Sequence, residues 1–191
     1  MDLDPARIEL SRASKCIERM KTSENYADYD EAWTDYLTRI ENIFSRIEAA
    51  SSPIKEKYLG FISPIKNLRK KDELLVYLKQ ARNNVHHGIA ETSKSIPASF
   101  SISAKDRPVH IKGYGFDRQG NLYIDSTGPL NVKFNPERVE VTACTNRNVT
   151  FHPPQQHKGQ PILTKDPLEI ALIGLKFYAD LIDEASKKFC S

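Results

Sequence analysis

Apolar residues recur at helical spacing along residues 4 to 90 and again along 166 to 189, with an alternating stretch between them. The clearest run is Trp33, Leu37, Ile40, Phe44 and Ile47, at spacings of four, three, four and three. It predicts a helix from near Asp28 to near Ala50 with a seam along one side, and a helix that long needs antiparallel partners. Ile8, Ala13, Ile17 and Met20 predict a helix before it. Asp4-Pro5 is its start, because Asp can accept a bond from an orphan N–H and Pro costs nothing at the first position. Arg12, Lys15 and Arg19 fall on another face, a solvated charged one. Ser51-Ser52-Pro53 ends the long helix, and a short one through Tyr58, Leu59 and Phe61 is expected to stop at Ser63-Pro64, since proline pushes its predecessor out of the helical region. Asp72 can cap a further helix whose core stripe is Leu74, Leu78, Ala81 and Val85. Asp166-Pro167 then opens a last helix with Leu168, Leu172, Leu175, Ala179, Ile182 and Ala185 at helical spacing and Phe189 close behind.

Between the helical regions the period changes to two. Residues 99–103 and 130–134 alternate polar with apolar, as half-buried strands do. Val109 to Asp117 and Leu122 to Asp125 flank Arg118-Gln119-Gly120-Asn121, a predicted hairpin, and Val139 to Cys144 gives a further strand. Thr145 to Lys165 has no periodicity and holds Pro153-Pro154, Gly159 and Pro161, so a long loop is expected there, a kind of segment that is often functional. The fold expected is α+β: a bundle of four to five helices from residues 1–95 and 166–191, with a small antiparallel sheet and Pro-rich loop, 98–165, inserted before the last helix.

The 191 residues are 39% hydrophobic and 28% charged, an ordinary globular composition. A net charge of +3 permits a nucleic-acid partner without demanding one. Cys16, Cys144 and Cys190 are far apart and show no pairing or metal-ligand spacing, which points to a reducing compartment. The start Met-Asp-Leu-Asp-Pro is no secretory signal, and Leu168 to Ile182 is too polar to span a membrane, so a cytoplasmic protein with no membrane partner is expected. His152 and His157 lack acidic or cysteine partners at ligand spacing and are read as surface histidines. There is no phosphate loop, no dinucleotide fingerprint and no Ser or Cys in a nucleophile context.

The densest chemistry lies in Tyr77-Leu78-Lys79-Gln80-Ala81-Arg82-Asn83-Asn84-Val85-His86-His87-Gly88. On a wheel of 100° per residue, Arg82, His86, Asn83 and His87 lie progressively further from the core stripe, so they are expected at the surface or against another chain. Taken alone, they make a polar helix end, where Arg and His complement the dipole and Gly88 is a natural cap. Lys66, Arg69, Lys70 and Lys71 just upstream, with Lys79, are candidate contacts for phosphates, and a solvated loop is the default reading of the upstream group.

Ala81-Arg82-Asn83-Asn84-Val85-His86-His87-Gly88 resembles the signature of HEPN (higher eukaryotes and prokaryotes nucleotide-binding) domains: Arg, four to six residues, then His, often with a polar residue after the Arg. Arg82 and His87 are separated by four residues and Asn83 fills the polar position. The resemblance covers the helical part of the chain and is silent on the insertion. It implies a helical bundle, a homodimer and a metal-independent endoribonuclease without cofactor, acting as a toxin or in defence against phage, with an antitoxin or regulatory protein as a further partner. In that reading His87 moves a proton of the RNA 2′-hydroxyl or leaving oxygen, Arg82 binds the phosphate, and Asn83 orients one or the other. His86, four residues after Arg82, is the rival histidine. Two alternatives stand beside it: a non-catalytic dimeric module that binds a nucleotide, nucleic acid or protein, and a scaffold that pairs through the long helical seam.

Overall fold

The computed structural model describes residues 1–86, 91–105 and 107–189, with the backbone alone for His86. The protein is α+β. Among the described residues five helices run α1 Asp4–Thr22, α2 Tyr26–Ala50, α3 Lys55–Lys71, α4 Glu73–His86 and α5 Pro167–Phe189, with a 3-10 turn, Ser52–Ile54, leading into α3. The chain divides into two compact units, residues 1–95 with 139–191 and residues 96–138.

Unit 1 is built on α2. Trp33, Leu37, Ile40, Phe44 and Ile47 are all buried, as their spacing requires, and Asn25 rather than Asp28 caps the helix by accepting the Asp28 N–H at 2.9 Å. In α1 the cap falls differently from expectation. Asp4 lies inside the first turn, Leu3 occupies the cap without a side-chain bond, and Asp2 accepts the Asp4 N–H at 2.9 Å. Ile8 is exposed while Ala13, Ile17 and Met20 are buried. Arg12 pairs with the buried Glu9, and Arg19 pairs with Glu31 and Asp35 of α2, so that face is tied down by ion pairs.

The proline expected to end the third helix lies within α3. Pro64 leaves the Gly60 carbonyl without its usual N–H partner, a loss of about 3 kcal/mol in a helix interior. Packing on both sides of it carries the helix through: Tyr58 and Ile62 are buried before it and Arg69 after it. Arg69, expected in a basic loop, is in the core. Its guanidinium reaches both carboxylate oxygens of Glu41 at 3.0 and 2.8 Å, bonds the Tyr178 hydroxyl, and lies 3.8 Å from the centre of the Phe44 ring.

In α5 the buried stripe is turned from the expected one. Ile170, Ala171, Gly174, Phe177, Tyr178, Leu181, Ile182 and Ala185 are buried, and Leu172 is exposed. Close approach decides this. A β-carbon at Gly174 would lie 2.6 Å from Tyr36 Oη and 2.8 Å from Leu78, and the Tyr36 hydroxyl donates to the Ala171 carbonyl at 2.8 Å. Asp166 caps the helix as predicted, accepting the Leu168 N–H at 2.9 Å.

Among the described residues, ten short strands pair in ribbons of two, four of them antiparallel by their register, rather than in the single sheet expected. β1 Ser93–Ile96 pairs with β6 Arg138–Val141. Within unit 2, β2 Ser99–Ala104 pairs with β5 Leu130–Asn135, but neither is half-buried as expected: β2 is exposed throughout and β5 at all but its end residues, because a two-stranded ribbon has no second layer to cover a face. β3 Ile111–Phe116 forms the predicted hairpin with β4 Leu122–Ser126. The insertion is also shorter than 98–165. Residues 139–165 belong to unit 1 and are not a structureless loop: β7 Cys144–Asn146 pairs with β8 Val149–Phe151, and β9 Gln156–His157 with β10 Gln160–Pro161. Arg147, Asn148 and Lys158 take positive φ, as the tight hairpin turns require.

The buried ion pair yields a stability prediction. Arg69→Met should cost about 3–5 kcal/mol by leaving the Glu41 carboxylate unpaired, and adding Glu41→Met should recover much of that loss. Urea unfolding of the single and double variants measures both.

Candidate functional site

The helix that carries the sequence signature begins at Asp72, between α3 and α4. Its carboxylate accepts the Leu75 N–H at 3.1 Å, the Lys158 N–H at 2.8 Å and a bond with His157 Nδ1 at 2.9 Å. Burial raises the Asp72 pKa, but the Lys158 amide, the His157 ring and the Leu75 amide outweigh it and hold the carboxyl below its ordinary value. Glu73, beside it, accepts the Gln155 N–H and the Gln156 side-chain amide at 2.9 and 2.7 Å. The β9–β10 hairpin is thereby clamped to the start of α4. His157, expected at the surface, is half-buried, its ring edge-on to Phe177 with centroids 5.6 Å apart.

Along α4, Leu74, Leu78 and Ala81 are buried as the stripe predicts, and Val85 is half-buried. Leu75, Tyr77 and Asn84 are buried as well, because α4 is covered on two sides, by the bundle and by the 144–157 ribbons. The Tyr77 hydroxyl donates to the Thr142 carbonyl at 2.8 Å, and burial raises its pKa. Asn146 donates to Gln80 Oε1 at 2.9 Å, which sets the β7–β8 hairpin against the middle of the helix. A cleft of about 400 Å³ lies on this side, between Val76, Tyr77, Phe151, His152 and Pro153 with Glu73 at its edge.

Arg82 and Asn83 are half-buried beside this arrangement and off the buried stripe. Arg82 Nη1 donates to Asn83 Oδ1 at 3.2 Å, and Arg82 Nε is buried with no hydrogen-bond partner among the described residues. The side chain of His86, and all of His87 and Gly88, lie outside the described residues, so the choice between the two histidines falls there too.

The basic candidates separate. Lys70, Lys71 and Lys79 are exposed, Lys66 is exposed but paired with Glu48 at 2.6 Å, and Arg69 is held in the core with its cation spent on Glu41. The first three carry charge that a polyanion can reach. Among the described residues no group of three or more His, Cys, Asp or Glu is placed to hold a metal ion, and His152 and His157 do not form one. Cys16 and Cys144 are buried free thiols. No described helix is long and apolar enough to cross a membrane.

No family model matches the chain, and no curated protein or solved structure is similar enough to count as a match. The reading of the site therefore stands on its residues. Those missed in the sequence, Asn146, Gln155 and His157, sit on or beside hairpins. The available signal was Asn146-Arg147-Asn148 and Lys158-Gly159, turn residues within a stretch expected to be a loop.

Asp72 gives a prediction with a sign. A carboxyl held below its ordinary value of about 3.9 adds stability that is present above that pH and lost as pH falls through the folded value. Asp72→Asn should lower stability by about 1–2 kcal/mol at neutral pH. It should also narrow the gap in urea midpoint between neutral pH and about pH 3.

Proposed function

We propose that the protein is a metal-independent endoribonuclease of the HEPN type, in which Arg82, Asn83 and His87 act on RNA. The observation that carries the proposal is Arg82, off the core stripe in the last turns of a bundle helix, bonded to Asn83 and at signature spacing from His87. Guanidinium groups bind phosphate through paired N–H donors, and Arg82 is half-buried rather than sealed in the core, which supports that role.

The chemistry follows from the residue types. A neutral imidazole of His87 takes the proton of the RNA 2′-hydroxyl, and the 2′-oxygen attacks the adjacent phosphorus. The bond to the 5′-oxygen breaks, and that oxygen takes a proton from a second imidazole, His86 or His87 of a second protomer. The products are a 2′,3′-cyclic phosphate and a 5′-hydroxyl. Arg82 stabilises charge growing on the non-bridging oxygens, and Asn83 orients imidazole or phosphate. Lys70, Lys71 and Lys79 attract the RNA backbone, and two motif helices meet in a homodimer to complete the site. Such an activity suits a toxin or a phage-defence component held in check by an antitoxin or regulatory protein.

A second reading, a non-catalytic binding module, is favoured by the separate β unit of residues 96–138, which the catalytic reading does not use. The two differ in one assay. Purified protein incubated with end-labelled RNA in EDTA should cleave it to cyclic-phosphate ends, and Arg82→Ala or His87→Ala should slow cleavage by about 100-fold or more. No cleavage by the parent protein, or equal cleavage by both variants, would sink the nuclease reading.

A further inference from the structure

Unit 2 exposes its aromatic residues. Tyr114 is 75% exposed, Phe116 62%, Phe134 56% and Phe100 43%, values that a packed core does not tolerate. They are not scattered. Phe100 and Phe134 are direct cross-strand partners with ring centroids 5.2 Å apart, and Phe100 lies 6.3 Å from Phe116. Tyr114 and Phe116 share one face of β3, since alternate residues of a strand point the same way, and they stand about 7 Å apart along it.

The strand reads Lys112-Gly113-Tyr114-Gly115-Phe116. Lysine, glycine, aromatic, glycine, aromatic is the order of the first five positions in the strand on which RNA-recognition sheets carry stacking rings; the likeness ends there, with Asp117 and Gln119 where that strand has an aliphatic and a further aromatic residue. Gly115 has a local reason here: a β-carbon would lie 2.8 Å from Tyr123 Oη, so the Tyr123 ring, itself 56% exposed, lies over Gly115 on the opposite face of the ribbon. Lys112 sits at a register shift between Ile111 and Gly113, and bulges of this kind re-aim a side chain. After Phe116 the chain turns at Asp117, whose carboxylate accepts the Gln119 and Asn121 N–H groups at 2.8 Å each and so is occupied within the turn. Residues 96–138 hold six Lys or Arg against four acids.

We infer that unit 2 binds single-stranded nucleic acid, with bases stacked on Tyr114 and Phe116 and phosphates drawn to Lys112. A strand of nucleic acid supplies what the surface asks for, flat π faces at intervals and a continuous negative backbone. The inference does not depend on cleavage at Arg82, and it gives the β unit a role of its own.

The test uses the full chain and a fluorescein-labelled DNA oligonucleotide of about 12 nucleotides, a length that covers one single-strand site. DNA lacks the 2′-hydroxyl, so binding is read apart from any nuclease activity. Anisotropy should show binding that weakens steeply as salt rises. Tyr114→Ala should weaken it about ten-fold, Tyr114→Phe should leave it intact because stacking needs only the ring, and Lys112→Ala should reduce the salt dependence. Tyr114 is the chosen residue because, being so exposed, its loss does not threaten folding. Absence of binding, or binding that Tyr114→Ala and Lys112→Ala leave unchanged, overturns the inference. So does sedimentation showing self-association that Tyr114→Ala abolishes while the oligonucleotide stays unbound.

Discussion

The indole Nε1 of Trp33 donates to Thr92 Oγ1 at 3.0 Å, and Thr142, held at its carbonyl by Tyr77, donates its own N–H to the Thr92 carbonyl at 3.0 Å. A backbone that enters an apolar core must have its N–H and C=O groups answered there. In this protein Tyr26 of α2 and Tyr77 of α4 donate to the Ser93, Thr92 and Thr142 carbonyls, so the chain leaves the bundle at Thr92 and returns at Thr142 with those carbonyls paired. Ser93 is fixed in the same way, its carbonyl accepting from Tyr26 at 2.9 Å. The exit and return are therefore bolted to the two helices that matter most, the one that builds the core and the one that carries the signature.

That anchoring works together with Asp72 at the other end of α4. The start of the helix is clamped by the β9–β10 hairpin, its middle meets the β7–β8 hairpin through Gln80, and Tyr77 ties it to Thr142. A helix held at several points along its length gives Arg82 and Asn83 a defined direction, the kind of preorganisation that the proposed role in phosphate binding calls for. Arg69 makes the same point from the opposite side. A cation in the basic tract serves the core, while its neighbours Lys70 and Lys71 remain at the surface.

Where a segment has one apolar face and one partner, its structure is readable from the sequence. The α2 seam, the strands from Ser99 and Leu130, the hairpin around Gly120, and the caps at Asp72 and Asp166 are of this kind. Legibility fails where a residue's fate is decided by distant packing. Pro64 is a helix breaker by local rules, yet contacts before and after it carry α3 through. The α5 stripe turns because Gly174 admits Tyr36 and Leu78, which no periodicity within α5 encodes. Residues 145–165 look structureless because their strands are two or three residues long and held by side chains of α4. At the candidate site, the off-core setting of Arg82 and Asn83 follows from the wheel, whereas Asn146 and His157 arrive from more than sixty residues away.

Unit 1 is discontinuous, and α5 is synthesised after the ribbons of unit 2. Until α5 emerges from the ribosome, the slot that receives Gly174 stands open, with Tyr36 and Leu78 bare to solvent. At translation rates of about 5–20 residues per second that interval lasts seconds, far longer than helix formation takes. Closing unit 1 is therefore the last step available to the chain, and it waits on a helix separated from its partners by the whole β segment.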